Sequence, residues 1–422
     1  MTPLIDFFTD PILRPSTVGC MLMCFASALV GVVVFLRKRS LIGETLSHAS
    51  FPGVVIGVFL SALLIPYSDE LVALAILCGA FLFAFLGLIV LNFLENRLQV
   101  KADSALCFVL ASFFGLGILI ASRLQQSYPL WYKQALIFLY GQAATMTNMH
   151  VIIYACFSFV ILGFILYFYR YLEAVNFDPS FSETLGIRSK RLDDMMFLLI
   201  VLAIVVGIRS VGVVLMAGML IGPAVAARPL THQLSHHFAL AGAFGVASGF
   251  LGNYLSVVVP QATFRGAYSL PTGPMILLVS SAFCFLSLLL APRSGLITRY
   301  LRMRRFSFQC AVENALKSLW KGEEKASFPP LIRWQLKRRK WIDPQGHLTG
   351  HGKAAAEKII RLHRLWEVYL VDYMGQKVEK VHRTAEELEH LMSPDLEREL
   401  TELLHNPRHD PHHQPIPPLG PT

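Results

Sequence analysis

Long apolar segments in the first 291 residues constrain the fold of this chain more than any other feature. A helix needs about 20 apolar residues to cross the hydrocarbon core of a bilayer. Only 15% of the residues are charged, whereas soluble domains carry about 25%. The sequence therefore predicts an all-α, polytopic membrane protein with eight or nine transmembrane helices. The candidate spans are Val18–Leu36, Phe51–Tyr67, Leu71–Leu94, Ala105–Ala121, Val151–Tyr169, Met195–Ile208, Val211–Ala227, Phe238–Val258 and Thr272–Leu290.

Two places leave the number of spans open. The segments Met195–Ile208 and Val211–Ala227 are separated by only two residues and can also be read as one broken helix. The segment Trp131–Thr145 is apolar but short and interrupted. A segment of that length is typical of a re-entrant or interfacial helix.

The composition changes beyond Arg293, where the chain becomes polar and rich in Lys, Arg, Glu and His. Helical periodicity returns from Lys353 to Leu404 and predicts a small α-helical domain. The last residues, His405–Thr422, are rich in Pro and His, which is typical of a loop.

Basic residues near the ends of the spans predict the orientation of the chain. The formal net charge is +9, and in membrane proteins Lys and Arg accumulate in cytoplasmic loops. With nine spans, the segments Arg37–Arg39, Arg97–Lys101, Arg170–Arg191 and Arg293–Arg305 fall on one side. We therefore expect a multi-pass protein of the inner (plasma) membrane whose C-terminal third lies in the cytoplasm.

The segment Arg37–Gly53 combines an acid and an imidazole beside a predicted span. Glu44 and His48 are four residues apart, so they share one face of a helix. Such groups are costly near lipid unless they meet a partner, water or an ion, and together they suit Mn(II), Fe(II) or Zn(II). The alternative is a solvated loop in which they pair with each other or with Arg39.

Three further segments carry recognisable patterns. Asn176–Ile187 is a polar stretch that predicts either a helix docking on a partner or an ordinary connection. Val211–Arg228 is rich in Gly, Ala and Met, and small residues by themselves explain close helix packing in lipid. Gly252–Pro274 ends in a tight turn before the last predicted span.

Together these segments resemble the permeases of manganese, zinc and iron ABC importers over approximately Ser16–Ala291. The matching positions are Arg39, Ser40, Leu41, Gly43, Glu44, Ser47, His48, Pro52 and Gly53; Phe177, Asp178, Pro179 and Gly186; Val211, Gly212, Leu215, Pro223, Ala224 and Ala227; and Pro271, Gly273 and Pro274.

The resemblance implies roles for several of these residues. Glu44 and His48 would line the ion path, and Phe177, Asp178, Pro179 and Gly186 would dock on a cytoplasmic ATPase. The family more often has Asp at the position of Glu44, which leaves the ion preference open. The resemblance also implies an extracytoplasmic metal-binding protein and a second permease copy or paralogue as partners.

The sequence has no GxxxxGK[ST] motif, so ATP hydrolysis is expected in a separate subunit. We therefore predict a transport subunit and not an enzyme. The absence of HExxH disfavours an intramembrane metalloprotease of that type.

The C-terminal third carries a second set of candidate metal ligands. His363 and Glu367 are four residues apart, and His382, Glu386 and His390 follow at intervals of four, with Glu389 beside the last. On helices this spacing makes two stripes of imidazole and carboxylate. The alternative is a pair of solvated helix faces.

Residues from roughly Leu348 to Pro417 resemble the dimerisation and metal-binding domain of diphtheria toxin repressor-type regulators. The resemblance implies a regulatory metal site, with a divalent ion as ligand. Glu386 stands where iron-type members often have Cys, which favours Mn(II). The ligands that it implies are His363, Glu367, His382, Glu386, Glu389 and His390.

The region before Leu348 is too short for a complete winged helix-turn-helix. The ligand position of its first helix aligns with Asn314, and its wing with Asp343–Leu348. A basic cluster could contact DNA phosphates or anionic lipid headgroups, so a nucleic-acid partner is left open. The cluster consists of Arg333, Lys337, Arg338, Arg339 and Lys340.

These patterns predict an ordered set of domains. They are residues 1–291, a transmembrane ABC permease domain; 292–325, a basic exit helix and linker; 326–347, a shortened winged-helix-like remnant; 348–417, a metal-binding and dimerisation domain; and 418–422, a tail.

The predicted function is the permease subunit of an ATP-driven importer of Mn, Fe or Zn with a cytoplasmic metal-sensing domain. The divalent ion would be both the substrate and the regulatory ligand. The alternative is a membrane-tethered or released metal-dependent transcriptional regulator.

Overall fold

The computed structural model is α-helical and divides into two compact units, Met1–Thr298 and Arg299–Thr422. It describes residues 4–64, 69–141, 143, 146–184, 189–264, 270–322, 328–388, 390 and 394–418. The helices of the first unit are α1 (Asp6–Thr9), α2 (Leu13–Leu36), α3 (Ile42–Leu64), α4 (Asp69–Asn96), α5 (Ala102–Ser127), α6 (Pro129–Tyr140), α7 (Asn148–Phe177), α8 (Pro179–Thr184), α9 (Ser189–Val211), α10 (Val213–Ala227), α11 (Leu234–Phe264) and α12 (Thr272–Leu290). They are followed by α13 (Leu296–Trp320), α14 (Pro330–Arg338), α15 (Gly350–Asp372), α16 (Val378–Leu388) and α17 (Pro394–Leu403).

Within the described ranges, seven segments are long and apolar enough to cross a bilayer: α2, α4, α5, α7, α10 with the turn that follows it to Leu230, α11 and α12. The other two predicted spans lie on α3 and α9, each 23 residues long. The prediction of an all-α, polytopic fold is confirmed. The short apolar segment Trp131–Thr145 contains most of α6, which has only 12 residues.

A single glycine separates α9 from α10. Gly212 has φ +93°, a backbone conformation that only glycine adopts readily. The two segments are therefore helices that follow each other directly, with an abrupt break at one residue. In transporters, breaks of this kind line the substrate path, because they free backbone groups within the membrane.

Small residues allow α3 and α4 to approach closely. A Cβ atom added at Gly53 would lie 2.0 Å from the carbonyl oxygen of Gly79, and one at Gly79 would lie 2.3 Å from that of Gly53. Close backbone contact of this kind supplies the van der Waals packing that holds helices together in lipid. It also fixes the position of α3, which carries Glu44 and His48.

Gly53→Ala is expected to destabilise the protein, since the new methyl group meets backbone that no rotamer change can move. Overpacking typically costs about 1–3 kcal/mol, and a lower thermal unfolding temperature in detergent would measure it. Gly115→Ala on α5 is the matched control, because a Cβ there has nothing within 4 Å. An equal loss in both variants would contradict the packing argument.

The second unit has a small apolar core of its own. Its first part joins the C-terminal half of α13 to α14 and α15 through Val312, Leu316, Leu336, Ile342 and Ala356. A second cluster packs α15 against α17 and the end of the chain. The predicted wing-like segment is a tight turn closed by the bridge between Ile342 and Leu348.

Candidate metal centres

The first candidate centre lies on α3. His48 is buried, with 9% of its surface exposed, and Glu44 is half-buried one turn earlier. The His48 ring meets Phe114 edge-on at a centroid distance of 4.6 Å. Its Nδ1 atom is buried and has no hydrogen-bond partner among the described residues. A buried polar atom without a partner is unusual, and an ion or water at this position would satisfy it.

The surroundings of Glu44 and His48 disfavour Arg39 as their partner. Arg39 instead forms a two-point ion pair with Glu95, at 2.9 Å and 3.2 Å. Arg37 pairs with Asp193 at the start of α9. The two arginines thus neutralise carboxylates on other helices.

The break between α9 and α10 lies beside this centre. Ser47, next to His48 in the chain, donates a 2.9 Å hydrogen bond to the carbonyl oxygen of Val213, the first residue of α10. Discontinuous helices at membrane depth commonly form substrate sites. The hydrogen bond places the start of α10 beside the part of α3 that carries His48.

The predicted coupling residues fall at the junction of α7 and α8. Phe177 is the last residue of α7 and is 92% exposed, and Asp178 beside it is also exposed. Pro179 begins the short helix α8. Gly186 lies outside the described residues.

The second candidate centre brings together three of the six predicted ligands of the C-terminal unit. His363 and Glu367 project from α15, and His382 from α16. His363 Nε2 lies 3.1 Å from Glu367 Oε1 and 2.8 Å from His382 Nδ1, and His382 Nδ1 lies 2.9 Å from Glu367 Oε1. His363 and Glu367 are buried, whereas the His382 side chain is 57% exposed. The centre therefore opens to solvent on the α16 side.

The triangle of ligand atoms has the dimensions of a metal site. Adjacent ligands of an octahedral ion with bonds of about 2.1 Å lie about 3 Å apart. Two neutral imidazoles supply at most two N–H groups on these atoms, so they cannot make hydrogen bonds along all three edges. A cation bound by all three lone pairs satisfies the whole group.

The environment keeps Glu367 in the charged form that a metal requires. Burial by itself raises the pKa of this carboxyl group. In the metal-free site, the hydrogen bonds from His363 and His382 and the positive charges of the two imidazoles when protonated outweigh burial, and they lower the pKa of Glu367 to about 2. Ligands must be deprotonated to bind a metal, so Glu367 is ready at neutral pH.

Of the remaining predicted ligands, the two within the described residues, Glu386 and His390, do not join this triangle. Glu386 is half-buried on α16, and Glu389 lies outside the described residues. His390 Nδ1 instead contacts Glu313 Oε2 on α13 at 2.6 Å, with both side chains largely buried. Burial raises the pKa of Glu313, but hydrogen bonds from His390 and Gln309 and the charges of His390 and Arg339 lower it overall.

Glu313 is a candidate that the sequence interpretation missed. The alignment placed the first-helix ligand at Asn314, whereas the side chain that reaches His390 comes from the preceding residue. The sequence did offer one indication, since Glu313 is a carboxylate immediately before the expected ligand position, Asn314.

The basic cluster lies on and just after α14. All five of its side chains are exposed. Arg338 stacks over the ring of Trp334 at 5.2 Å, and Arg339 over that of Trp341 at 4.8 Å. Trp334 and Leu331 are themselves 57% and 64% exposed. The surface therefore combines positive charge with apolar area.

The membrane unit matches the model of a known protein family. Residues 9–291 match the model of the ABC 3 transport family. The chain belongs to this family. Residues 349–418 match a second model, the iron dependent repressor, metal binding and dimerisation domain. Both resemblances that the motifs indicated are confirmed.

Three named relatives match this ABC 3 family chain over different shares of its length. A Chlamydia trachomatis protein named "Probable metal transport system membrane protein" is 34% identical over 97% of both chains. The zinc transport system membrane protein TroC of Treponema pallidum is 35% identical, over 73% of this chain and 98% of its own length. The manganese transport system membrane protein MntC of Bacillus subtilis is 31% identical, over 87% and 80%.

A solved structure supports the fold of this ABC 3 family chain. A chain of PsaBC from Streptococcus pneumoniae, in complex with Fab, has a TM-score of 0.58 and 25% identity. The match covers 71% of this chain and 98% of that one. The prediction of a multi-pass permease fold is confirmed.

Proposed function

We propose that this ABC 3 permease moves a divalent transition-metal ion through the membrane along a path that contains Glu44 and His48. The observation that carries the proposal is the buried Nδ1 atom of His48, which has no hydrogen-bond partner in the part of the chain that the structure describes and lies one helical turn from a half-buried carboxylate. A mixed imidazole and carboxylate set suits Mn(II), Fe(II) and Zn(II). Relatives named for manganese and zinc transport support this range of substrates.

Transport is driven by ATP hydrolysis in a separate cytoplasmic subunit. That subunit docks on the junction of α7 and α8 at Phe177, Asp178 and Pro179, and the family resemblance adds Gly186 to the docking residues. An extracytoplasmic binding protein delivers the ion, and a second permease copy or paralogue completes the pathway. The second unit lies in the cytoplasm, as the basic residues after the last span indicate.

The second unit senses the same ion as it accumulates. His363 and Glu367 on α15 and His382 on α16 hold the regulatory ion, which cross-links the two helices when bound. His390 and Glu313 form a further ligand pair, to which the family resemblance adds Glu386 and Glu389. Because an ion bound only by the ordered domain stabilises it, high internal metal orders this unit and slows transport.

Reconstituted uptake tests the transport proposal. In proteoliposomes that contain the chain, its ATPase subunit and its binding protein, ATP is expected to drive accumulation of Mn, Zn or Fe, each measured separately. Phe177→Ala should reduce this uptake, since it removes an exposed ring from the docking surface. Phe159→Ala is the matched control, because Phe159 is 74% exposed on the same helix but lies within a span.

Two outcomes would contradict the proposal. Accumulation of none of the three metals would exclude the proposed substrate class. Equal uptake by the Phe177 and Phe159 variants would exclude the junction of α7 and α8 as the docking surface.

A further inference from the structure

The first half of α13 is a charged and apolar helix that immediately follows a membrane span. The span α12 ends at Leu290, and α13 begins at Leu296 after a connection of five residues, 291–295. Chain connectivity alone therefore holds the start of α13 close to the bilayer surface.

The two halves of α13 differ sharply in burial. In the second half, Val312, Ala315 and Leu316 belong to the core of the C-terminal unit. In the first half, every residue from Arg299 to Ser307 is exposed. That stretch includes large apolar side chains, with Leu301 51% and Met303 61% exposed. Contiguous exposed apolar area of this kind marks a contact surface.

Basic and apolar side chains share the exposed surface of this half of the helix. Leu296, Ile297, Tyr300 and Leu301 have the spacing i, i+1, i+4, i+5, which places them on one apolar face. Arg299, Arg302 and Arg305, three residues apart, follow the other side, where the exposed side chain of Phe306 lies among them. A helix with an apolar face and a row of arginines suits a membrane interface, where long basic side chains reach the headgroups.

Arg304 is the basic residue within the apolar face, and its contacts fit the same arrangement. Its Nε donates a 2.8 Å hydrogen bond to the hydroxyl of Tyr300, and its guanidinium lies 5.3 Å from the centre of that ring. The Arg304 side chain thus covers the Tyr300 ring. A tyrosine and an arginine stacked in this way suit the boundary between headgroups and acyl chains.

We propose that residues 296–306 of α13 bind the anionic headgroup layer of the bilayer, with the apolar face towards the acyl chains. Charge complementarity and continuity with α12 favour lipid over a second protein. Anionic lipids attract basic segments next to a span, and each basic residue adds to the attraction. The contact anchors the beginning of the C-terminal unit to the membrane surface, and it does not depend on which ion the permease moves.

Amide hydrogen exchange of the full chain in nanodiscs tests the contact. Peptides covering 296–307 are expected to exchange on the order of tenfold more slowly in discs with anionic phosphatidylglycerol than in pure phosphatidylcholine. The triple variant R299Q/R302Q/R305Q should lose this difference. The control K353Q/K377Q/R408Q removes three exposed basic residues of the same unit and should retain it.

Three results would overturn the proposal. The first is exchange that is equally fast in both lipids. The second is an equal loss of protection in the control variant, which would indicate a net-charge effect. The third is protection that arises only when the ATPase subunit is added, which would assign the surface to a protein partner.

Discussion

Replacing His48 with alanine is expected to abolish most metal uptake while the protein remains in the membrane. His48 offers a buried ring nitrogen that has no hydrogen-bond partner among the described residues, and the variant removes this nitrogen. Loss of groups that merely orient a metal ligand lowers affinity by about 10- to 100-fold. Removing a ligand itself should lower uptake by at least that factor, measured for Mn, Fe and Zn separately.

Two further variants show whether the effect of the His48 substitution is specific to the ion path. His232→Ala removes an exposed histidine near the start of α11 and should leave uptake unchanged. Glu44→Asp keeps the carboxylate but shortens its reach, so uptake should persist with an altered preference among the three ions. Normal uptake by the His48 variant would show that the ion path lies elsewhere.

Replacing Glu367 with glutamine is expected to remove one bound ion per chain and the response of uptake to internal metal. The amide keeps the size of the side chain but loses the charge that the two imidazoles stabilise. A neutral oxygen is a much weaker ligand for Mn(II), Fe(II) or Zn(II) than a carboxylate. Metal content by elemental analysis and uptake into metal-loaded proteoliposomes measure the two effects separately.

The matched control for Glu367→Gln is Glu402→Gln, on the exposed face of α17. It removes the same charge from the same unit and should change neither metal content nor uptake. If the Glu367 variant still binds metal with unchanged affinity, the triangle of His363, Glu367 and His382 is not a metal site. If metal is lost but internal metal still slows uptake, the triangle does not regulate transport.

Residue spacing predicted much of both candidate centres. A separation of four residues places Glu44 with His48, and His363 with Glu367, on shared helix faces, because this is a property of the α-helix itself. The contact of His382 with those two residues depends on how α16 packs against α15. Glu313 was missed because its partner His390 is 77 residues away in the chain. The spacing of neighbouring residues cannot predict a contact over that separation.

The sequence by itself determined the helical class, the positions of the spans and the division between an apolar and a polar region. These properties follow from the length of apolar runs and from the need to satisfy every backbone hydrogen bond in lipid. Only the tertiary structure decided that Gly212 separates two helices, that Arg39 pairs with Glu95, and that His382 joins His363 and Glu367 while His390 meets Glu313. The side-chain contacts depend on how separate helices pack together, and the break at Gly212 depends on a local backbone conformation. Helical periodicity specifies neither.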